Sequence, residues 1–241
     1  MDKTQKEALK FFCLERGGAE KGIFPFVADV SNEDNLNKIA DRIQAEIGRP
    51  TVWINNAGIA KLGALEKTSS ADFAQVMAVN FFGVVYGTRT AMRLMSEPAF
   101  GTIVNIASVA GLVSPPFMTS YAASKSAVIG FTRSLRLEQK AAHSPLKFKL
   151  VMPGFVKTAI MNPQNGIEFP KWFDWAIADV DRTSKEIWNG IQNSTEEIIP
   201  TWNGKLASVM SRFTPSISQK MGHALTSKNW KELLGLKPIV R

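Results

Sequence analysis

The sequence predicts an α/β fold built on a Rossmann-like, doubly wound parallel sheet, and three observations carry the prediction. Short apolar runs alternate with longer amphipathic stretches, the polar residues of chemical interest fall just after the runs, and no internal repeat or low-complexity linker interrupts the 241 residues. Strand–helix alternation implies right-handed crossovers, with helices on both faces of a parallel sheet. Ligands in such sheets bind beyond the carboxyl ends of the strands. A chain of this length buries a core without disulfide or metal staples, so a single domain over residues 1–241 is expected.

The elements follow in order. Residues 4–16 read as an amphipathic helix with Ala8, Leu9, Phe12 and Cys13 on one side, stopped by Gly17-Gly18. Ile23–Ala28 is a short apolar run and is expected as a strand, at an edge because of Pro25. Ser31 or Asn32 caps a helix over 33–47. Thr51–Ile54 is the next strand, followed by a long helix over 70–96. Thr102–Ile106 is a buried strand, Ser120–Lys140 a helix, Phe148–Met152 a strand, and Glu196–Ile199 a last short one.

Composition narrows the function classes. The 45% hydrophobic and 21% charged content is that of an ordinary globular chain. One cysteine excludes a disulfide framework and a cysteine-based zinc site, which points to a reducing compartment; a cytoplasmic location and no metal are expected. The first residues lack the apolar core of a signal peptide, and no run of about 18 apolar residues suggests a spanning helix. The net charge of +8 comes from scattered Lys and Arg with a mild excess after Arg182, without a nucleic-acid module, so no nucleic-acid partner is expected.

The chemistry is concentrated in a few side chains. Tyr121 and Lys125 stand four apart on a predicted helix and share a face. A free phenol, with a pKa of about 10, is a poor base at neutral pH, and a neighbouring ammonium draws it toward the working range. Such a phenol gives a proton to a carbonyl being reduced or takes one from an alcohol being oxidised. Ser108, after the 102–106 strand, is placed to hold the same oxygen. Asn80, polar within an apolar helical stretch, is suited to anchor a water near the lysine. Taken singly, each has a structural reading: Tyr-x-x-x-Lys occurs by chance in helices, and Ser108 and Asn80 serve as local hydrogen-bonders. Their joint order and spacing give them a common purpose.

With its neighbouring segments, the chain resembles the short-chain dehydrogenase/reductase family over nearly its whole length. Asn55-Asn56-Ala57-Gly58 matches the family's Asn-Asn-Ala-Gly turn, and Val79-Asn80 its helix asparagine. Ile103–Ser108 matches the serine-bearing strand, Tyr121–Lys125 the active-site signature 13 residues beyond Ser108, and Pro153–Thr158 the nicotinamide-side loop. The resemblance implies an NAD(P)-dependent oxidoreductase, with the choice between NAD and NADP open. It implies Tyr121 as proton donor/acceptor, Lys125 as the group that lowers its pKa and binds the nicotinamide ribose, Ser108 as the substrate-orienting hydroxyl, and Asn80 as the holder of a relay water. Asp29 and Val30 would flank the adenine, Asn56, Ala57 and Gly58 would pass under the adjoining ribose, and Val156 and Thr158 would meet the carboxamide and diphosphate.

The family's Gly-x-x-x-Gly-x-Gly turn after a first strand has no match here. Gly17–Gly22 is glycine-rich but follows a helix and precedes an apolar run, the reverse of the required context. By the family's order, the first strand, the glycine turn, its helix and most of the second strand are expected to be absent. That favours a shortened start of an ordinary enzyme. The alternatives are a genuine short form, with the 23–28 strand moved beside the 51–54 strand, and a pseudoenzyme serving as a binding module.

Residues 159–195 are expected to form a substrate lid. Its Ile160, Met161, Phe169, Trp172, Phe173 and Trp175 suit an apolar alcohol or ketone of lipid, steroid or retinoid type, or simply pack small helices onto the core. Residues 204–225 read as a docking helix or a subunit contact in preference to a membrane-surface segment. Small residues along 70–96 (Ala74, Ala78, Gly83, Gly87, Ala91) allow close helix contact, and the resemblance implies a homodimer or homotetramer built there.

Overall fold

The computed structural model describes residues 22–96, 100–158 and 177–213. Four parallel strands lie in the order β1 (Val52–Asn55), β2 (Thr102–Ile106), β3 (Lys147–Val151) and β4 (Glu197–Ile198). The register aligns Val52 with Thr102, Asn55 with Asn105, Thr102 with Lys147 and Leu150 with Glu197. Between β1 and β2 the chain runs as α2 (Ser70–Met77), a π turn (Ala78–Phe82) and α3 (Gly83–Leu94). The other helices are α1 (Glu33–Glu46), the short α4 (Ala110–Val113), α5 (Thr119–Ala141), α6 (Val180–Gln192) and α7 (Trp202–Phe213).

Three helix starts have a side-chain cap. The Asn32 side chain accepts from Asn35 N at 2.9 Å and caps α1, Ser69 accepts from Asp72 N at 3.0 Å and caps α2, and Asp179 accepts from Arg182 N at 2.9 Å and caps α6. The strands alternate their faces. Trp53, Ile103, Phe148 and Leu150 point to α3 and α5, whereas Val52, Val104, Ile106 and Val151 point to α6, through Ile187 and Ile191. Ile103, Val104, Leu150 and Val151 are fully buried. At roughly 1.5–3 kcal/mol for each large apolar side chain, these two layers supply most of the force holding sheet to helices.

The expected strand at Ile23–Ala28 does not form: the segment is extended but joins no ladder, and Phe24 is 47% exposed. A strand exists through its partner's hydrogen bonds, and among the described residues β1 is paired on its β2 side only, with Ile54 45% exposed. The run ends instead in a turn, where Asp29 N donates to Asn35 Oδ1 at 2.8 Å and Asn32 N to Asp29 O at 3.2 Å. The Arg42 guanidinium lies 5.0 Å from the Phe26 ring centre, which ties the segment to α1. The expected 70–96 helix is continuous in direction but opens into the π turn around Asn80.

The expected helix at 4–16 and most of the expected lid, 159–176, lie outside the described residues. The described remainder of the lid comprises Ile177–Asp179 and α6, whose Ile191 is buried against the sheet. Of the expected docking helix, the described part belongs to α7, with Trp202, Leu206 and Val209 about half exposed. Among the described residues, no helix is long and apolar enough to cross a membrane.

Lys149 is a charge inside this architecture. It sits on β3 at 4% exposure, and its ammonium donates to the carbonyls of Gly190 (3.1 Å), Asn193 (2.5 Å) and Thr195 (2.8 Å). It thereby closes the C-terminal end of α6 and the turn into β4, where the helix dipole favours a cation. Lys149→Met is expected to lower stability by about 2–3 kcal/mol, because three carbonyls lose a donor where water reaches poorly. Urea unfolding with an unchanged m-value and a lower midpoint would show it.

Candidate active site

The residues of interest gather at the carboxyl ends of β1, β2 and β3. Ser108 leaves β2, is 8% exposed, and is fixed from both sides: its hydroxyl accepts from Ala110 N at 3.1 Å and reaches Pro153 O at 3.4 Å. Tyr121 lies in the first turn of α5 and Lys125 one turn on. The loop between Ser108 and Tyr121 is held in an unusual shape, since Ser114 (φ 48°) and Phe117 (φ 61°) occupy the left-handed region without being glycine. Phe117 O accepts from Gly63 N at 2.9 Å, which joins this loop to the one after β1.

Lys125 is 3% exposed, and its ammonium donates to Ile106 O at 2.8 Å. Burial lowers its pKa to about 8. Its nitrogen lies 5.8 Å from the centre of the Tyr121 ring. The effect expected on Tyr121 is reversed here: burial raises the phenol's pKa, and the hydrogen bond with Ser108 only partly opposes that. Burial therefore pushes both members of the pair toward their neutral forms.

Asn80 is fully buried in the π turn, but its amide is committed to protein. It accepts from Ile59 N at 2.8 Å and donates to Ile59 O at 2.9 Å and to Ser124 Oγ at 3.0 Å. Rather than presenting a free amide to a water, the side chain pins the loop after β1 to α5. Ser124, which in turn donates to Tyr121 O at 2.7 Å, is a member of this site that sequence reasoning passed over. It stands inside the Tyr121–Lys125 signature, where its hydroxyl could have been noticed.

The loop Asn56-Ala57-Gly58 leaves β1 toward Lys125. A Cβ on Gly58 would stand 3.6 Å from the Lys125 nitrogen and 3.4 Å from Asn80 Oδ1, so the missing side chain leaves room beside the ammonium. Val30, Asn56 and Ala57 border a cleft of about 160 Å³, floored by Trp53, Ile54, Asn55 and Val84. Asp29 is exposed next to it, its carboxylate accepting from Ser31 N (2.9 Å) and Ser31 Oγ (2.6 Å), which lowers its pKa. Val156 pairs with Ala178 beyond β3, and Thr158 is exposed at the end of that loop. The structure therefore brings Ser108, Tyr121, Lys125, Asn80 and Gly58 together, with Val30, Asn56 and Ala57 around a neighbouring cleft and Val156 and Thr158 on the loop after β3.

The chain is similar to known proteins. The family described as short chain dehydrogenase matches residues 3–167. The chain belongs to the short-chain dehydrogenase family. It is an oxidoreductase by that membership, and its parallel α/β sheet is the family's Rossmann-like one. It is 32% identical over 208 residues to the putative oxidoreductase SadH of Mycobacterium tuberculosis, covering 83% of this chain and 75% of that protein. It is 37% identical over 139 residues to the 3-ketodihydrosphingosine reductase of Bacteroides thetaiotaomicron, covering 58% of this chain and 51% of the relative. Its fold superposes on a short-chain dehydrogenase/reductase from Burkholderia phymatum in complex with NAD, with a TM-score of 0.71, 24% identity, and 98% and 86% of the two chains covered.

The Lys125 ammonium has a measurable signature. Its pKa falls from 10.5 unfolded to about 8 folded, so between those values the unfolded chain holds a proton that the folded chain has released. Stability is thus expected to rise with pH across that window, by roughly 3 kcal/mol. Lys125→Met should flatten this rise in urea unfolding at pH 7.5 to 10.5; an unchanged slope would show that the amine is not desolvated.

Proposed function

We propose that this short-chain dehydrogenase interconverts an alcohol and a ketone or aldehyde with NAD or NADP, Tyr121 being the proton donor/acceptor. The observation that carries the reading is the convergence of the Tyr121 phenol, the Ser108 hydroxyl and the buried Lys125 ammonium where β2 delivers its carboxyl end. A nicotinamide coenzyme, when bound, would supply or accept the hydride. Ser108, positioned by Ala110 N, holds the substrate oxygen, and Tyr121 gives it a proton during reduction or takes one during oxidation. A phenol whose pKa is raised by burial stays protonated at neutral pH, which suits donation to a carbonyl.

The residues present fit the nicotinamide half of the coenzyme. Lys125 would reach the ribose hydroxyls across the space that Gly58 leaves open, and Val156 and Thr158 would face the carboxamide and diphosphate. Asn56, Ala57 and Gly58 would line the adjoining ribose, with Asp29 and Val30 beside the adenine at the neighbouring cleft. Asn80 acts by fixing the Ile59 loop and Ser124, and any relay water it serves would have to bind its backbone. An apolar substrate is supported by the aromatic content of 159–176 and by a relative that is a 3-ketodihydrosphingosine reductase.

Tyr121→Phe is expected to reduce turnover of a carbonyl substrate by about 10²–10⁴-fold while NADH or NADPH affinity changes little. Stopped assays paired with fluorescence titration of the reduced coenzyme separate the two quantities. A folded wild-type sample that binds neither coenzyme would sink the enzyme reading in favour of a binding module.

A homo-oligomer is supported by a second surface. α5 and the π turn border a groove of about 390 Å³ lined by Phe81, Gly130, Phe131, Ser134, Leu135 and Glu138, with Phe82 45% and Leu137 69% exposed alongside. A Cβ on Gly130 meets nothing within 4 Å, so the isolated chain tolerates a side chain there. Gly130→Arg is expected to convert the oligomer to monomer in light scattering without loss of the folded circular dichroism signal.

A further inference from the structure

The segment after β3, Pro153–Lys157, touches two other parts of the chain. On one side, Ala178 N donates to Phe155 O at 2.9 Å and Lys157 N donates to Ala178 O at 3.1 Å. On the other side lies the turn into α7. There the Thr201 hydroxyl, 2% exposed, accepts from Gly154 N at 3.0 Å and from Gly204 N at 3.2 Å, while donating to Asn203 Oδ1 at 2.7 Å. The Asn203 amide then donates to Phe155 O at 3.2 Å.

The approach is close enough to require glycine on both strands of the contact. A Cβ on Gly154 would lie 1.8 Å from Asn203 Oδ1 and 2.8 Å from Gly204 N, and one on Gly204 would lie 2.7 Å from Thr201 Oγ1 and 3.1 Å from Gly154 N. One residue upstream, Pro153 O accepts from Val109 N at 3.0 Å and sits 3.4 Å from the Ser108 hydroxyl. The contact therefore fixes the backbone between the Ser108 loop and Val156.

We infer that Thr201 and Asn203 are positioning residues for the nicotinamide end of the coenzyme site, holding the Gly154–Val156 backbone in place through a buried hydroxyl–amide clamp. The inference rests on the coenzyme reading above. Thr201 does two jobs with one oxygen. It caps α7, whose Lys205 N donates to Thr201 O at 3.0 Å, and it takes the Gly154 N–H, which has no other acceptor among the described contacts. A hydroxyl shared in this way links the orientation of α7 to that of the loop. Removing it leaves the Gly154 and Gly204 N–H groups without their acceptor and frees the loop to move. A loosened loop disturbs only the part of the ligand that it faces.

That selectivity is the test. Calorimetric titration of wild-type and Thr201→Val protein would use NADH or NADPH, whichever the wild type binds. The same proteins would be titrated with ADP-ribose or its 2′-phosphate, which lack the nicotinamide. The clamp predicts a roughly tenfold loss of affinity for the whole coenzyme, a change below about twofold for the fragment, and recovery in Thr201→Ser. Should Thr201→Val fail to fold, Asn203→Ala, which keeps the Thr201 hydroxyl on Gly154 N and Gly204 N and removes the Asn203 bonds to Phe155 O and to that hydroxyl, carries the same readout. Coenzyme affinity unchanged in a folded variant, or lost equally for the fragment, overturns the clamp alone. A wild-type protein that binds neither coenzyme overturns the underlying reading and the clamp's role with it.

Discussion

The interaction on which the rest depends is the side-chain bond between Asn55 and Asn105, directly opposite each other at the ends of β1 and β2. Asn55 Nδ2 donates to Asn105 Oδ1 at 2.8 Å and to Thr88 Oγ1 at 3.1 Å, and Asn55 Oδ1 accepts from the Trp53 indole at 2.8 Å. Asn105 Nδ2 continues the chain to Thr132 Oγ1 at 3.0 Å, and Thr132 donates to Val128 O at 2.8 Å. One polar thread therefore ties β1, β2, α3 and α5 together. It runs through Thr88, Asn105 and Thr132, each 1% exposed or less, where a lost partner costs more than at a surface. Gly87 is part of the same device, since a Cβ there would stand 2.1 Å from Asn55 Oδ1. With α3 held this close, the loop leaving β1 has a fixed starting point.

From that starting point the site is assembled by groups that hold backbone. Asn80 pairs with both polar groups of Ile59, and the π turn is what lets its side chain reach them, because the local widening redirects a residue that a regular helix would place elsewhere. Through Ser124 the same amide reaches the carbonyl of Tyr121. The phenol and the ammonium are thus carried on a helix whose first turn is bonded to the β1 loop. Preorganisation of this kind removes the need to order those elements when ligand arrives.

Much of this was legible in the sequence, and the exceptions have physical causes. The strands at 51–54, 102–106 and 148–152 announced themselves as apolar runs, and each formed within a residue or two because each has a partner in register. Ile23–Ala28 has the same composition and no ladder, since composition reports what a strand would bury and says nothing of whether a neighbour is there to pair with. The gathering of Ser108, Tyr121 and Lys125 could be read from spacing, because all three hang from β2 or from the helix beginning a dozen residues later. The direction of the Tyr121 shift could not, for it turns on a competition between burial and the Ser108 hydrogen bond, and spacing does not give the depth of burial. Thr201 and Asn203 lie about 45 residues from the loop they hold, in a turn whose sequence looks like an ordinary helix cap. Long-range hydrogen bonds of that sort leave no periodic trace.

β2 bears the largest share of the outcome. It is paired on both sides, its Ile103, Val104 and Asn105 are fully buried, and it supplies both Ile106 O to the Lys125 ammonium and, two residues on, the Ser108 hydroxyl. Burying that ammonium with one carbonyl partner costs stability, as its pKa near 8 records. The cost is tolerable because it falls at the end of the best-packed strand, where β1, β3, α3 and α5 restrain any relaxation that would let water in. An ammonium placed beside an open sheet edge instead would draw in solvent and recover its ordinary pKa. The position of Lys125 beside β2 is therefore a condition of its lowered pKa, and the polar thread through Asn55 and Asn105 keeps that strand aligned with the loop that faces it.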